Sequence, residues 1–256
     1  MPTVYREFRA DRRLRYFVEC GWLRSGSATS SIRVMPDGCV DVFVTANGDV
    51  MVAGPVHTFY ELPAGNQDVL AGLRLRPGAA AAVIGCPASE LRNMRVPLDS
   101  TFGLAAPRVA ESVLGTTTPE QRLSMLADLA VDYFAAADPT LDRPVARAVG
   151  VLRTQPARPV AELAAEVGLS ERQLRRRFEV AVGYGPKRLG RVFRFQRLLD
   201  LIHSSHGPAH WSQLAIAAGY ADQSHMINEC VALTGGPPTA LPGVSVLSNT
   251  APGEPS

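Results

Sequence analysis

A short pattern that occurs twice in the second half of the chain constrains the fold more than any other feature. A Leu-Ala pair is followed after three residues by glycine, at Leu163–Gly168 and again at Leu214–Gly219. In each copy a helix with an apolar face ends at the glycine, which adopts the positive φ of a sharp turn at little cost. A capped second helix then begins, at Ser170 in the first copy and at Asp222 in the second. The pattern predicts two helix-turn-helix units, called here the first unit and the second unit.

The second helix of the first unit is rich in arginine. Leu174 and Phe178, four residues apart, are predicted to face the preceding helix. At about 100° per residue, three arginines then point outward from the N-terminal half of the helix. A guanidinium group suits DNA because its planar fork bonds guanine or phosphate oxygens in a bidentate manner. We predict base reading by Arg172, Arg175 and Arg176, and contact with the DNA backbone by Arg177; the alternative is a solvated basic face.

Basic side chains continue along the next predicted helix, Lys187–His203. Arginines recur on one side of it at a spacing that suits contacts with phosphates, while leucine, valine and phenylalanine occupy the packing positions. The sequence therefore predicts a long helix that joins the two units. The predicted backbone contacts on this helix are Lys187, Arg188, Arg191 and Arg194.

Positive charge is concentrated in one stretch of the chain. Residues 141–206 contain 13 Lys and Arg against six Asp and Glu, whereas residues 1–140 contain 13 against 15. Residues 207–256 contain no Lys or Arg and three acids. A basic block of this kind is typical of a protein that binds a polyanion such as DNA.

The first hundred residues alternate short apolar runs with turn signals, which predicts a small antiparallel sheet. Asn47-Gly48, between the runs Val40–Thr45 and Val50–Val52, indicates a hairpin. Two short helices are predicted in GAAAAVIG and ASELRN, and a capped helix begins at Thr118. That helix has an apolar stripe typical of a core face, with a dimer seam as the alternative. The stripe consists of Leu123, Leu126, Ala127, Ala130, Tyr133 and Phe134.

The chain is therefore predicted to have two domains. Residues 1–137 form an α+β N-terminal domain with a small antiparallel sheet, and residues 138–144, with two prolines and two acids, form a linker. Residues 145–241 form an all-α domain of two helix-turn-helix units joined by a long helix. Residues 242–256 are rich in Pro, Gly and Ser, and a flexible tail is expected there.

Two such units joined by one helix resemble the DNA-binding domain of the AraC/XylS family of bacterial transcription regulators. The resemblance is carried over about 100 residues by LAAEVGLSERQLRRRFEVAVGYGPKRL in the first unit and LAIAAGYADQSHMINECVALTGGPPTAL in the second. The N-terminal half, in MVAGPVHTFYELPAG and GLRLRPGAAAAVIGCPASEL, is similar to the sensor domain of some actinobacterial members. The resemblance implies a cytoplasmic, sequence-specific DNA-binding protein whose two recognition helices enter successive major grooves.

The resemblance also assigns base-reading positions in both units. In the first unit they coincide with Arg172, Arg175 and Arg176; in the second they are Gln223, Ser224, Ile227 and Asn228. The second unit departs from the family pattern, which has a basic residue where Asn228 stands and an aromatic residue where Cys230 stands. Because it has no Lys or Arg, the second unit is expected to release few counterions and to contribute less affinity than the first.

The N-terminal half admits three interpretations. Its aromatic and apolar residues line an effector pocket, or they form the core of the sheet, or the half serves for dimerisation or protein interaction in a regulator without an effector. The candidate pocket residues are Trp22, Val34, Phe43, His57, Phe59 and Tyr60. A second copy of the chain and RNA polymerase remain open as partners.

Other chemistry finds little support in the sequence. His203, His206 and His210 are spaced like metal ligands, but Gly207-Pro208 breaks the helix between them, so no metal site or cofactor is expected. The chain has no nucleophile elbow, phosphate-binding loop or dinucleotide fingerprint, so no enzymatic activity is expected. No apolar run is long enough for a membrane span.

Overall fold

The protein is described by a computed structural model. The model describes residues 4–26, 31–45, 47–62, 70–98, 111–112, 116, 118–204 and 210–241. The predicted tail 242–256 and His206 lie outside these ranges.

A six-stranded antiparallel sheet forms the centre of the N-terminal domain, with strand order β1-β2-β7-β4-β5-β8. A second, two-stranded sheet pairs β3 with β6. The strands are β1 Val4–Arg9, β2 Val18–Ser25, β3 Ile32–Val34, β4 Val40–Val44, β5 Val50–Ala53, β6 Tyr60–Leu62, β7 Leu70–Leu75 and β8 Arg95–Pro97. The predicted hairpin is confirmed: β4 and β5 pair in antiparallel fashion, and Gly48 between them has a φ of 89°.

The two faces of the large sheet differ in chemistry because side chains alternate along each strand. Val42 and Leu73 are paired on one face, and the buried residues of this face form an apolar core. The opposite face has the row Trp22, Gly72 and Phe43, which are direct neighbours on adjacent strands. The small β3–β6 sheet lies against this second face, where the two sheets enclose the cavity described below.

Two helices cover the apolar face. Helix α1, Ala80–Ile84, is short, and α2, Pro119–Ala137, begins with the predicted capping box at Thr118. Leu126 is buried, and the rest of the predicted stripe except Tyr133 packs on the same core, so the stripe of α2 is a core face. Tyr133 instead donates a hydrogen bond to the Val83 carbonyl oxygen. The second predicted short helix, ASELRN, is wrong: residues 88–93 are a series of turns ending at Asn93, with a φ of 58°.

The C-terminal domain is helical, as predicted. Its helices are α3 Arg143–Thr154, α4 Val160–Glu166, α5 Glu171–Val182, α6 Pro186–Ser204, α7 Trp211–Ala218 and α8 Gln223–Thr234, followed by a 3-10 turn at Pro238–Ala240. One core is shared by α3, α4, α5 and the start of α6. A second core is shared by the end of α6, α7 and α8. The first unit is thus α4 and α5, the second unit is α7 and α8, and α6 joins them.

Helix α5 begins where the sequence predicts. Gly168 has a φ of 71°, and the Ser170 hydroxyl accepts a hydrogen bond from the Gln173 backbone N–H at 3.3 Å. Gln173 Oε1 in turn accepts the Ser170 backbone N–H at 2.9 Å. The reciprocal pair satisfies two N–H groups that a helix N-terminus otherwise leaves without partners.

We expect Ser170→Ala to lower the free energy of unfolding by about 1 kcal/mol, because the N-cap acceptor is removed while α5 keeps its apolar contacts. Urea unfolding followed by circular dichroism measures the change. Ser212→Ala, in the exposed first turn of α7, is the control and should change stability by a few tenths of a kcal/mol. Equal losses in the two variants would contradict the capping role.

Candidate nucleic-acid interface and effector pocket

Helix α5 presents arginines on the side opposite its packing residues. Leu174 and Phe178 are fully buried, which fixes the rotation of the helix. The three predicted base-reading arginines are exposed, and Arg175 forms an ion pair with Glu171 at 2.8 Å. This surface pair is weak and exchangeable. Arg172, Arg175 and Arg176 are called the arginine face below.

Arg177 has a partner within the protein. Its Nε lies 2.7 Å from a carboxylate oxygen of Asp142, and Asp142 also caps α3 by accepting the Val145 backbone N–H. The side chain remains partly exposed. A phosphate at this position would compete with Asp142, because the ion pair of Arg177 with Asp142 joins α5 to α3.

Two of the predicted backbone contacts on α6 are corrected by the structure. Arg194 is only 9% exposed, and its guanidinium makes a bidentate ion pair with Glu229 of α8. Arg191 Nε lies 2.8 Å from the same carboxylate. Both guanidinium groups face the second unit, because Glu229 is itself buried and requires compensating charge. These arginines fix α8 on α6 and do not form a phosphate-facing row.

The two other predicted contacts on α6 differ from each other. Lys187 is exposed, as a phosphate contact requires. Arg188 is half-buried, and its Nη2 donates a hydrogen bond to the His57 carbonyl oxygen of the N-terminal domain. Burial and the nearby Arg191 lower the pKa of Arg188 from its ordinary value. Arg188 is thus a contact between domains, whereas Lys187 and Arg197 remain available at the surface.

The second unit repeats the backbone layout of the first without its charge. Met226 and Cys230 are fully buried, like Leu174 and Phe178, and Asp222 caps α8 by accepting the His225 backbone N–H at 2.7 Å. Of its predicted base-reading residues, three are exposed and one is half-buried against the core. The exposed ones are Gln223, Ser224 and Asn228, and the half-buried one is Ile227.

The N-terminal domain contacts both units directly, which the sequence did not indicate. The Ala88 N–H donates to the Val180 carbonyl oxygen at the end of α5, at 2.7 Å. The Phe59 N–H donates to the Leu233 carbonyl oxygen at the end of α8, at 2.9 Å. Met35, from the loop after β3, is buried in the core of the second unit.

We expect Gly183→Ala to destabilise the protein more than Gly168→Ala. Both glycines have positive φ, 93° and 71°, so each alanine costs about 1 to 2 kcal/mol in backbone strain. A Cβ at Gly168 meets no atom within 4 Å, whereas one at Gly183 would lie 2.5 Å from Pro55 Cγ across the domain contact. Thermal unfolding and limited proteolysis should show a lower midpoint and faster cleavage for Gly183→Ala. Equal unfolding midpoints and cleavage rates in the two variants would mean that the contact between the domains adjusts to the added methyl group without loss of stability.

Four of the six predicted pocket residues line one cavity. These are Trp22, Val34, Phe43 and Tyr60. The other two are not among its lining residues: Phe59 packs against the second unit beside Gly235, and the His57 carbonyl oxygen accepts a hydrogen bond from Arg188. Sequence reasoning missed the remaining lining, which is Tyr5, Arg24, Asp41, Ala53, Leu62, Leu70, Arg74 and Arg95. The alternation of polar and apolar residues along β7 was the available signal for Arg74.

One buried guanidinium serves three carboxylates beside this cavity. Arg74 lies 3.0 Å from Glu7, 3.3 Å from Asp37 and 3.1 Å from Asp41. Burial raises the pKa of the Asp37 carboxyl above its ordinary value, and Arg74 offsets part of this rise. These four residues are called the charge cluster. The cavity is therefore lined by charged groups of the cluster, Asp41 and Arg74, and by aromatic side chains.

Cys39 is a buried free cysteine. Burial raises the pKa of the Cys39 thiol well above its ordinary value, which keeps this thiol protonated and unreactive. Within the described ranges, no three His, Cys, Asp or Glu side chains are arranged to hold a metal ion. None of the helices that the structure describes is long and apolar enough to cross a bilayer.

Comparison with solved structures finds distant similarity to ToxT of Vibrio cholerae. The ToxT structure from strain O395 is 10% identical, covers 95% of this chain and 97% of its own, and has a TM-score of 0.43. A variant of apo ToxT from strain SCE256 is also 10% identical, with coverages of 93% and 95% and a TM-score of 0.42. Wild-type ToxT bound to an unsaturated fatty acid is 10% identical, with coverages of 93% and 93% and a TM-score of 0.43.

Two family models match the chain, whereas no curated protein matched it. Residues 6–97 match the model described as domain of unknown function DUF6597. Residues 163–241 match a model described as a helix-turn-helix domain, over the two units and α6. The chain therefore joins an N-terminal region similar to DUF6597 to a C-terminal region similar to a helix-turn-helix domain.

Proposed function

We propose that the protein is a sequence-specific transcription regulator that grips DNA mainly through the first unit. The observation that carries this proposal is the arginine face: three exposed guanidinium groups on the N-terminal half of a helix that Leu174 and Phe178 hold in place. That half of a recognition helix is the part that reaches base edges in the major groove. Lys187 and Arg197 add exposed positive charge on α6.

The second unit has a supporting role in this proposal. Gln223, Ser224 and Asn228 are exposed at the corresponding face of α8, where amide and hydroxyl groups bond base edges but release no counterions. The two recognition helices enter successive major grooves, with α6 between them. The protein acts in the bacterial cytoplasm and not as an enzyme, and a second copy of the chain and RNA polymerase are its further proposed partners.

The N-terminal domain is proposed to act as a sensor of a small molecule. The support is the cavity between its two sheets together with the contacts that this domain makes with both units. A regulator without an effector, in which the domain serves only for protein interaction, is the competing proposal. A test of ligand binding distinguishes the two proposals. It is done with the full chain, because Met35 is buried in the C-terminal domain and would be exposed in the isolated N-terminal domain.

Selection of bound fragments from random DNA tests the DNA-binding proposal. We expect a two-part site with one well-defined half and one degenerate half, because the arginine face specifies bases more strongly than neutral side chains do. Recovery of fragments without a shared sequence would overturn specific recognition. Two equally defined halves would overturn the dominance of the first unit.

A further inference from the structure

The cavity of the N-terminal domain has charges of opposite sign at its two ends. Asp41 on β4 pairs with Ala53 on β5, and Ala53 pairs with Arg95 on β8. Directly opposed residues project from the same face of a sheet, so Asp41 and Arg95 stand on either side of Ala53, about 10 Å apart at their backbones. The small side chain of Ala53 leaves the space between them open, and all three residues line the cavity.

The Asp41 end has more negative than positive charge. Arg74 is the guanidinium that compensates the carboxylates of Glu7, Asp37 and Asp41. Both hydrogen bonds that reach Asp41, from Trp22 Nε1 and from Arg74 Nε, end on Oδ1 at 3.1 Å. No donor among the described residues reaches Oδ2. An incoming ammonium group would find an acceptor there and would reduce the excess of negative charge.

The Arg95 end is positive. Arg95 donates a hydrogen bond to the Tyr60 hydroxyl at 2.6 Å, and its guanidinium lies 5.0 Å from the Tyr60 ring centre and 5.7 Å from that of Phe43. Within the described part of the chain, no carboxylate lies in ion-pair distance of Arg95. Held in place by two rings, its free donors are oriented to receive an anionic group with little loss of side-chain entropy.

The size of the cavity limits the ligand. Its volume is about 40 Å³, which is room for about three water-sized groups. A long acyl chain or a nucleotide far exceeds this volume, and among ligands with two charged groups only those with a short spacer come near it. Trp22 and Phe43 line the sides of this space with apolar surface.

We propose that this cavity binds a small zwitterion of the amino-acid class, with its ammonium group on Asp41 and its carboxylate on Arg95. The inference rests on the proposed sensor role and names the class of effector. Both charges of such a ligand are needed, because the acceptor at Asp41 and the donors of Arg95 lie at opposite ends of the cavity, and a ligand with a single charge reaches one end alone.

Calorimetric titration of the full chain with matched probes tests the inference. The zwitterions are glycine, β-alanine and γ-aminobutyrate, which differ in the length of the spacer; propionate and propylamine each lack one charge of β-alanine. We expect saturable binding of at least one zwitterion, and at least about tenfold weaker binding of propionate and of propylamine. Equal binding of either single-charge probe, or no saturable binding of any zwitterion, overturns the inference.

Variants locate the site. Arg95→Gln removes the exposed cation, and we expect at least about tenfold loss of affinity for the bound zwitterion. Ala53→Val fills the gap without a change in charge and should abolish binding, whereas Arg92→Gln, an exposed arginine on the preceding turn, should have no effect. Unchanged binding in Arg95→Gln or Ala53→Val would place the ligand elsewhere. Gel shifts with selected DNA on the same samples show separately whether the proposed DNA-binding function holds.

Discussion

Alanine at Arg172, Arg175 or Arg176 is expected to weaken binding to the selected DNA site by about ten- to a hundredfold for each substitution. These side chains are exposed on the outward side of α5, and a bidentate contact with guanine is lost with the guanidinium. Because the packing residues of the helix are unchanged, stability should remain within about 0.5 kcal/mol of the wild type. Fluorescence anisotropy at fixed salt, repeated over a salt series, measures both affinity and the number of ions released.

Three controls make this result specific. Arg12→Ala removes the same charge from an exposed turn of the N-terminal domain and should leave affinity nearly unchanged. Lysine at the same positions of the arginine face retains the charge but not the planar fork of arginine. Compared with the alanine variants, the lysine variants should therefore recover the salt dependence of binding more fully than its sequence specificity. Gln223→Ala and Asn228→Ala should cost less than the arginine variants. Equal losses in the two units would contradict the unequal roles proposed for them.

Glu229→Ala is expected to lower the free energy of unfolding by about 3 to 5 kcal/mol, the largest effect of any change considered. The carboxylate of Glu229 is buried and lies within 3 Å of both Arg191 and Arg194. Its removal leaves the buried Arg194 guanidinium without a counter-charge between α6 and α8. Urea unfolding measures the loss, and Glu179→Ala, at an exposed position of α5, is the matched control with little effect.

A double variant shows whether Glu229→Ala destabilises the protein by leaving the charge of Arg194 unpaired or by removing packing contacts. Arg194→Met combined with Glu229→Met removes both buried charges and replaces them with apolar volume, so it should recover much of the stability lost in Glu229→Ala. A loss in Glu229→Ala no larger than that of Glu179→Ala would show that water compensates Arg194. In that case this ion pair would not be what holds α8 on α6.

Local signals in the sequence were sufficient for the helical domain. The cap at Ser170, the turn at Gly168 and the inward pair Leu174 and Phe178 all act within a few residues, and the structure places each of them as predicted. The hairpin at Asn47-Gly48 is local in the same sense. The unequal charge of the two units was likewise evident from residue types alone.

Contacts between distant residues were not accessible in this way. Helical spacing put Arg191 and Arg194 beside Arg188 on one basic side, but which guanidinium groups are already occupied depends on Glu229 in another helix. His57 and Phe59 were grouped with the pocket because they are near Tyr60 in sequence. Alternation along the chain instead directs Phe59 toward the second unit. The opposition of Asp41 and Arg95 required the strand order and the register.

The strands β3 and β6 serve the cavity and the second unit at once. Val34 and Tyr60 are paired across the small sheet and line the cavity. The next residue outward on each side, Met35 and Phe59, packs into the core beneath α8. At each strand, neighbouring residues therefore line the cavity and pack beneath α8, so we expect a shift of the cavity wall to be transmitted to α8. Under the proposed function, the two units differ in their roles. The first unit binds DNA with an affinity that does not depend on the effector, and an effector changes the orientation of the second unit, which is poor in charge.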